Sequence, residues 1–303
     1  MVRSMLETKK FLYDNQLISY FLKIQYGEIK KVTKIGGMTN TNYKVDFENK
    51  SLVVRIPQSN TKKMINRVDE KINSYLAYKS DVDESFLFID DVKGIKISNF
   101  LGNGEMLNPN SAKRFESMKM VIKLLKKLHN SDIEFNNVFN PFDMIDKYEN
   151  ILVEKNGKFF EDYHYFKKEI FNYKNTLINS NIKLVPCHND TVPENFILNN
   201  GKLNLIDWEY SGMNDYVWDL AAHILECEFS DKEENKFLSL YFSNEVISDD
   251  IIFRINLYKV MQDFLWSIWS NIKIVHGEDL KEYSFMRYTR IKERLKYLSR
   301  WEV

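Results

Sequence analysis

Apolar residues at Phe11, Leu12, Leu17, Ile18, Phe21 and Leu22 recur at the spacing of one helical face, predicting a helix over 7–23. The pattern then shortens. Residues 29–35, 41–47 and 51–56 read as strands, separated by Gly36-Gly37-Met38-Thr39-Asn40 and by Glu48-Asn49-Lys50, with Pro57 as a stop. Three consecutive strands joined by tight turns make an antiparallel meander. A helix over 62–78 and a short strand over 86–89 follow. Beyond Leu101 the chain reads almost entirely as helix, over 110–129, 141–153, 159–178, 216–229, 233–242, 249–274 and 280–301. Between the third and fourth of these segments stands the exception, a polar loop and a hairpin. Phe196-Ile197-Leu198 and Leu203 to Ile206 flank the turn Asn199-Asn200-Gly201-Lys202. The class is α+β, a small antiparallel sheet followed by a larger helical part.

A chain of 303 residues can bury a large core as one domain or two lobes. The 43 Lys and Arg balance the 43 Asp and Glu, and no long block of one sign occurs. Nucleic acid is therefore not an expected partner. Cys187 and Cys227 make no disulfide framework and suit a reducing cytosol, with Cys187 read as a buried thiol. The first ten residues are charged and lack a signal-peptide core, and no stretch approaches the ~20 apolar residues of a membrane span. A cytoplasmic location is expected. Oligomeric state is not indicated.

The chemistry concentrates between Pro186 and Tyr210. His188-Asn189-Asp190 opens the loop, Asn195 closes it, and Asp207 ends the hairpin. Pairing the strands about the turn sets Asn195 opposite Ile206 and next to Asp207, since cross-strand neighbours lie about 5 Å apart. Two carboxylates and an amide oxygen suit a hard cation such as Mg2+. One acidic group remains to handle a proton. A loop Asp, then an Asn, then a metal-binding Asp is the order used in phosphoryl transfer, where the protein positions groups and neutralises phosphate charge.

These residues resemble the catalytic core of the choline/ethanolamine kinase and aminoglycoside phosphotransferase superfamily. His188-Asn189-Asp190, Asn195 and Asp207-Trp208-Glu209-Tyr210-Ser211 are most similar to the choline kinase branch, with Trp208 a departure from its usual Phe. The resemblance implies a bilobal, protein-kinase-like fold, with an N-terminal lobe over 1–97 and a helical lobe over 98–303. It implies Asp190 as catalytic base, Asn195 and Asp207 as Mg2+ ligands, and ATP as phosphoryl donor. Gly37, Thr39, Asn40 and Asn42 resemble the family's phosphate loop. Arg55 lies on the third strand, where this fold carries its phosphate-contacting cation. Glu70 on the next helix is placed to pair with it, as an exposed pair of little stabilising value. The passage Gly94-x-x-Ile97-x-x-Phe100-Leu101 resembles the hinge, implying adenine contacts at the backbone of Ile97, Asn99 and Phe100. Asp219 occupies the position of a structural brace for the catalytic loop, and His129 reads as a structural histidine.

For the acceptor, a quaternary ammonium cannot donate a hydrogen bond, so selectivity needs aromatic faces and nearby negative charge. Trp266 and Trp269 stand three residues apart on one helix, hence on one face. With Tyr283 and Arg287 they resemble the choline pocket, and Glu226 falls where that family places an acid near the ammonium. Glu209 and Tyr210 belong to the same expected substrate set. The predicted activity is phosphorylation of choline to phosphocholine. Ethanolamine or an aminoglycoside as acceptor, a catalytically silent kinase-like binding protein, and a helical scaffold are the alternatives.

Overall fold

In the computed structural model the described residues are 2–36, 40–58, 63–102, 104–180 and 182–298. Their contacts divide the chain into two units. The first holds residues 1–105 together with 197–209, and the second holds 106–196 with 210–303. The catalytic hairpin is thus split from the loop before it, a grouping that a single boundary after residue 97 does not express.

The first unit carries a five-stranded antiparallel sheet in the order β1-β2-β3-β5-β4, from β1 (Lys31–Ile35), β2 (Asn40–Asp46), β3 (Ser51–Pro57), β4 (Phe86–Asp90) and β5 (Ile95–Asn99). The β5 segment, expected as part of a passage between lobes, is a strand between β3 and β4. Gly94 makes the β4–β5 turn possible with φ +71°. The predicted helix over 7–23 is two helices, α1 (Val2–Asp14) and α2 (Gln16–Tyr26). The break falls at Asn15, whose side-chain amide donates to the Phe11 carbonyl at 3.2 Å. Phe11 and Leu22 pack with Val32, Val45, Leu52, Val54 and Ile97 as the core of this unit. The third helix, α3 (Arg67–Lys79), begins later than the pattern suggests, because the Asn66 side chain accepts from the Val68 and Asp69 amides and caps it.

In the hairpin of β8 (Phe196–Asn199) and β9 (Lys202–Leu205), Asn200 and Gly201 both take positive φ, the requirement of a tight two-residue turn. Leu205 donates its amide to the Val82 carbonyl at 3.1 Å, and Asn204 bonds both the amide and the carboxylate of Glu84. Trp208 is fully buried, its indole N–H shared between Asp83 Oδ2 and the Leu205 carbonyl. The larger ring therefore anchors the segment that bears Asp207.

The second unit is helical. The expected helix over 110–129 is interrupted at Lys113–Arg114, giving α4 (Pro109–Ala112) and α5 (Phe115–His129). The segment expected over 159–178 divides at Tyr173 into α7 (Tyr163–Asn172) and α8 (Lys174–Asn179), after α6 (Pro141–Glu154). The 27-residue α11 (Asp249–Val275) is buried around most of its circumference, which is why its sequence shows little amphipathic contrast. Packed on it are α6, α9 (Tyr216–Glu226) and α12 (Lys281–Leu298), with α10 (Asp231–Tyr241) against α5. A two-stranded ladder of β7 (Val185–Cys187) and β10 (Gly212–Asn214) sets Cys187 opposite Gly212 and delivers the chain to the catalytic loop. Among the described residues no helix is long and apolar enough to cross a membrane.

Candidate active site

In the first unit the site begins at Arg55, opposite Asn42 on β2 and Lys96 on β5. Arg55 Nη1 lies 2.6 Å from Glu70 Oε1, 3.2 Å from Asp207 Oδ1 and 3.6 Å from Glu209 Oε2. The Arg55–Glu70 pair expected at the surface is buried, with side chains 6% and 0% exposed. Burial changes its meaning. The desolvation cost is large, so removing one partner strands the other charge in the interior. Pairing with Arg55 holds Glu70 down to about 2, against the burial that would raise it.

Arg67, one helical turn before Glu70, is a second cation in the cluster that sequence reasoning missed. Its Nη1 bonds Glu70 Oε2 at 2.5 Å and Glu209 Oε2 at 3.1 Å. Asn40 donates to the same Glu209 oxygen at 3.2 Å and accepts from Arg67 Nη2 at 3.5 Å. The available signal was the Arg-x-x-Glu spacing on a helix, which puts both groups on one face. Burial and the charge of Asp207 push Glu209 up to about 7, while Arg55 and Arg67 pull it down. Glu209, expected to lend charge to an ammonium, instead commits its Oε2 to this ion cluster.

Carboxylate oxygens of Glu70, Asp207 and Glu209 lie within 4.8 Å of one another, a donor set suited to a hard divalent ion. Among the described residues Arg55 Nε and Nη2 are buried without a hydrogen-bond partner, as an anion-accepting guanidinium edge would be. The Asn42 side-chain amide donates to the Gly36 carbonyl at 3.0 Å. Gly37 and Thr39 lie outside the described residues. At the expected hinge, Ile97 sits inside the sheet between Val54 and Phe88. The amides of Asn99 and Phe100 are already given to the carbonyls of Ser85 and Ser51. Those two donors are therefore not open to an adenine.

In the second unit Asp219 organises the catalytic loop. Its Oδ1 accepts the Asn189 amide at 2.7 Å, and its Oδ2 accepts the His188 amide at 2.9 Å and faces His129 Nε2 at 3.0 Å. Its backbone carbonyl takes the Thr191 hydroxyl at 2.7 Å. Asn189 stands at φ +67° and is locked there. Its side chain bonds the Tyr210 carbonyl and Asn214, while its own carbonyl receives the Trp218 indole. Asn195 donates to the Asp190 carbonyl at 2.9 Å, leaving the amide oxygen as the end not committed to the loop. The backbone amide and carbonyl of Asp190 are both bonded within the loop, and the residue is half-buried. Cys187 is buried, and burial beside Asp219 pushes its thiol well up, so it stays protonated.

Of the expected acceptor residues, Tyr210, Trp266 and Trp269 form one largely buried aromatic cluster in this unit, and Tyr283, Arg287 and Glu226 form a second group. Tyr210 meets Trp266 at 5.2 Å between ring centroids, and Trp266 meets Trp269 at 6.2 Å, both edge-on. The Lys273 ammonium lies over the Trp269 ring at 5.6 Å. Arg287 lies over Tyr283 at 4.8 Å, donates to its hydroxyl at 2.6 Å and to Glu226 Oε2 at 2.5 Å, and pairs with Asp263 at 3.2 Å. Glu226 is therefore already half-compensated. Its Oε1 is buried without a hydrogen-bond partner among the described residues. The charge of Asp190 is felt at the Tyr283 hydroxyl, whose ionisation burial pushes upward, which joins the loop to this second group.

Residues 31–244 match a family model described as choline/ethanolamine kinase. Protein LicA of Haemophilus influenzae is 32% identical over 260 residues, 84% of this chain and 77% of that one. The crystal structure of choline kinase LicA from Streptococcus pneumoniae matches with a TM-score of 0.84 at 34% identity, covering 94% of this chain and 99% of the other. A crystal structure of LicA in complex with AMP matches with a TM-score of 0.81 at 34% identity, over 93% and 98%. The α+β, protein-kinase-like fold expected from the order of motifs is the fold of these neighbours.

Proposed function

The chain belongs to the choline/ethanolamine kinase family, and from that membership we propose that it transfers the γ-phosphoryl group of ATP to the hydroxyl of choline. The crystal structure of a relative with AMP supports an adenine nucleotide as donor. The unpartnered Nε and Nη2 of Arg55 fit its phosphate oxygens. Oxygen donors on Asp207 and Asn195 fit Mg2+, which when bound neutralises charge on the phosphates.

The chain's own groups then carry the rest. Asp190 orients the choline hydroxyl and accepts its proton. The alcohol oxygen forms a bond to the γ-phosphorus as the bond from that phosphorus to the bridging oxygen of ADP breaks, giving phosphocholine and ADP. Asp219 keeps the loop fixed, so Asp190 needs little reorganisation at the moment of transfer.

The aromatic cluster of Tyr210, Trp266 and Trp269, in the same unit as Asp190, carries the reading for choline. Aromatic faces attract a quaternary ammonium by about 0.5–2 kcal/mol each. One observation favours ethanolamine as a second acceptor: among the described residues Glu226 Oε1 has no hydrogen-bond partner, and it can accept a hydrogen bond from a primary ammonium. ADP release measured with choline, ethanolamine and an aminoglycoside, with and without Mg2+, separates these readings. Mg2+-dependent turnover highest with choline is expected. Equal turnover with the aminoglycoside, or none with any alcohol, removes the proposal.

A further inference from the structure

We propose that Arg67 is a positioning residue for the nucleotide phosphates, holding Glu70 and Glu209 so that the far edge of Arg55 is left to the phosphate oxygens. The inference rests on the kinase reading above and adds a residue to it. Its basis is the distribution of bonds within the cluster. Arg55 presents a single nitrogen, Nη1, to Glu70, Asp207 and Glu209. Glu70 is bridged: Oε1 faces Arg55 and Oε2 faces Arg67. Glu209 Oε2 sits closer to Arg67 than to Arg55, at 3.1 Å against 3.6 Å.

Three carboxylates, of which Glu70 and Glu209 are buried and Asp207 is partly exposed, and two guanidinium groups make a cluster of net charge about −1 when all are ionised. Without Arg67, Arg55 would be the guanidinium left to face the three acids, with Lys96 acting on Glu70 through space, and Coulomb attraction would turn its remaining donors toward them. Those donors, Nε and Nη2, are the ones now without partners among the described residues.

Two further contacts fix Arg67 itself. Asn40, the first residue of β2 after the glycine turn, bonds both Arg67 and Glu209, tying the phosphate-loop strand to the cluster. Gly94 closes over the side chain from the β4–β5 turn. A Cβ there would stand 3.0 Å from Arg67 Nε, at a backbone φ of +71° that disfavours any side chain.

The test is calorimetric titration of Mg·ADP into the full chain, with KM values for ATP and choline measured alongside. Arg67→Met is expected to weaken Mg·ADP binding and raise KM for ATP by about tenfold or more, the loss of one charge-assisted contact. KM for choline should stay within about twofold. Arg67→Lys should recover part of the loss, because one ammonium cannot span two carboxylates and the Asn40 amide oxygen as a guanidinium does. If Arg67→Met does not fold, Asn40→Ala serves in its place and should raise KM for ATP alone. A merely structural role would lower Tm and the active fraction with both KM values unchanged, and that outcome overturns the inference. Absence of Mg·ADP binding by the wild-type chain would instead overturn the kinase reading on which it stands.

Discussion

The amide of Asn189 donates to the carboxylate of Asp219 at 2.7 Å, across 30 residues of sequence. That bond, with its neighbour from His188, fixes the backbone from which Asp190 projects. Replacing Asp219 with Ala strands these two buried amides, at a cost of about 1–3 kcal/mol for each unsatisfied group. Urea denaturation should show the loss directly. In Asp219→Asn, which keeps one acceptor, kcat should fall with both KM values near those of the wild type, since only the loop's aim has changed. A normal kcat in that variant contradicts the bracing role.

Asp190→Asn removes the proton acceptor while preserving shape. Turnover should drop by about two to four orders of magnitude, the usual worth of a general base. Binding of Mg·ADP should persist, because the Arg55 cluster lies in the other unit. Retained turnover removes Asp190 from the chemistry.

The tryptophans give a separable prediction. Replacing Trp266 or Trp269 with Leu keeps an apolar side chain but removes the quadrupole, so KM for choline should rise by about 2–30-fold, from 0.5–2 kcal/mol per face. KM for ATP should not move. Phe at either position should retain most of the affinity. If Leu and Phe variants bind choline alike, the rings are packing and not recognition.

The motifs, their order and most elements were legible in the sequence, because each is a local feature. Helical spacing, the Asn-Gly turn and the His188-Asn189-Asp190 loop require no knowledge of distant contacts. What escaped was long-range. Arg67 looked like one charge among many, since only the fold brings Glu209 to it across 142 residues. The burial of Arg55 and Glu70 was likewise invisible, for an i-to-j ion pair reads the same whether wet or dry. At the expected hinge, Asn99 and Phe100 carry no sign in the sequence of which carbonyls claim their own amides. Helix breaks at Asn15 and Tyr173 fell within continuous apolar spacing, which does not mark them.

Arg287 carries two carboxylates, the part-buried Glu226 and the buried Asp263, and both would lose a counter-charge in Arg287→Met. Breaking a buried pair at one partner typically costs about 3–5 kcal/mol. Arg290 also bonds Asp263 and partly covers its loss, so the sharper effect should fall on Glu226. Thermal unfolding of Arg287→Met should show a clear loss of stability. Adding Glu226→Gln should restore part of it by removing the stranded charge. Additive losses in the double variant contradict the pairing.

His223 supplies the pH dependence. It is fully buried on α9, its Nδ1 faces the Thr191 carbonyl at 3.0 Å, and burial pushes it down to about 4 from an ordinary value near 6.5. The folded chain therefore binds this proton more weakly than the unfolded chain does. Its contribution to stability is complete above pH 6.5 and is lost progressively as pH falls toward 4, amounting to about 3 kcal/mol over that window. Because the ring also holds Thr191, one residue after Asp190, the acid transition should take activity with it. Replacing His223 with Phe removes the titration. The difference in unfolding free energy between wild type and His223→Phe should then shrink steadily from pH 7 to pH 4 as the wild type weakens. A difference that stays constant across that range means His223 takes up no proton on unfolding, and the acid lability must be sought elsewhere.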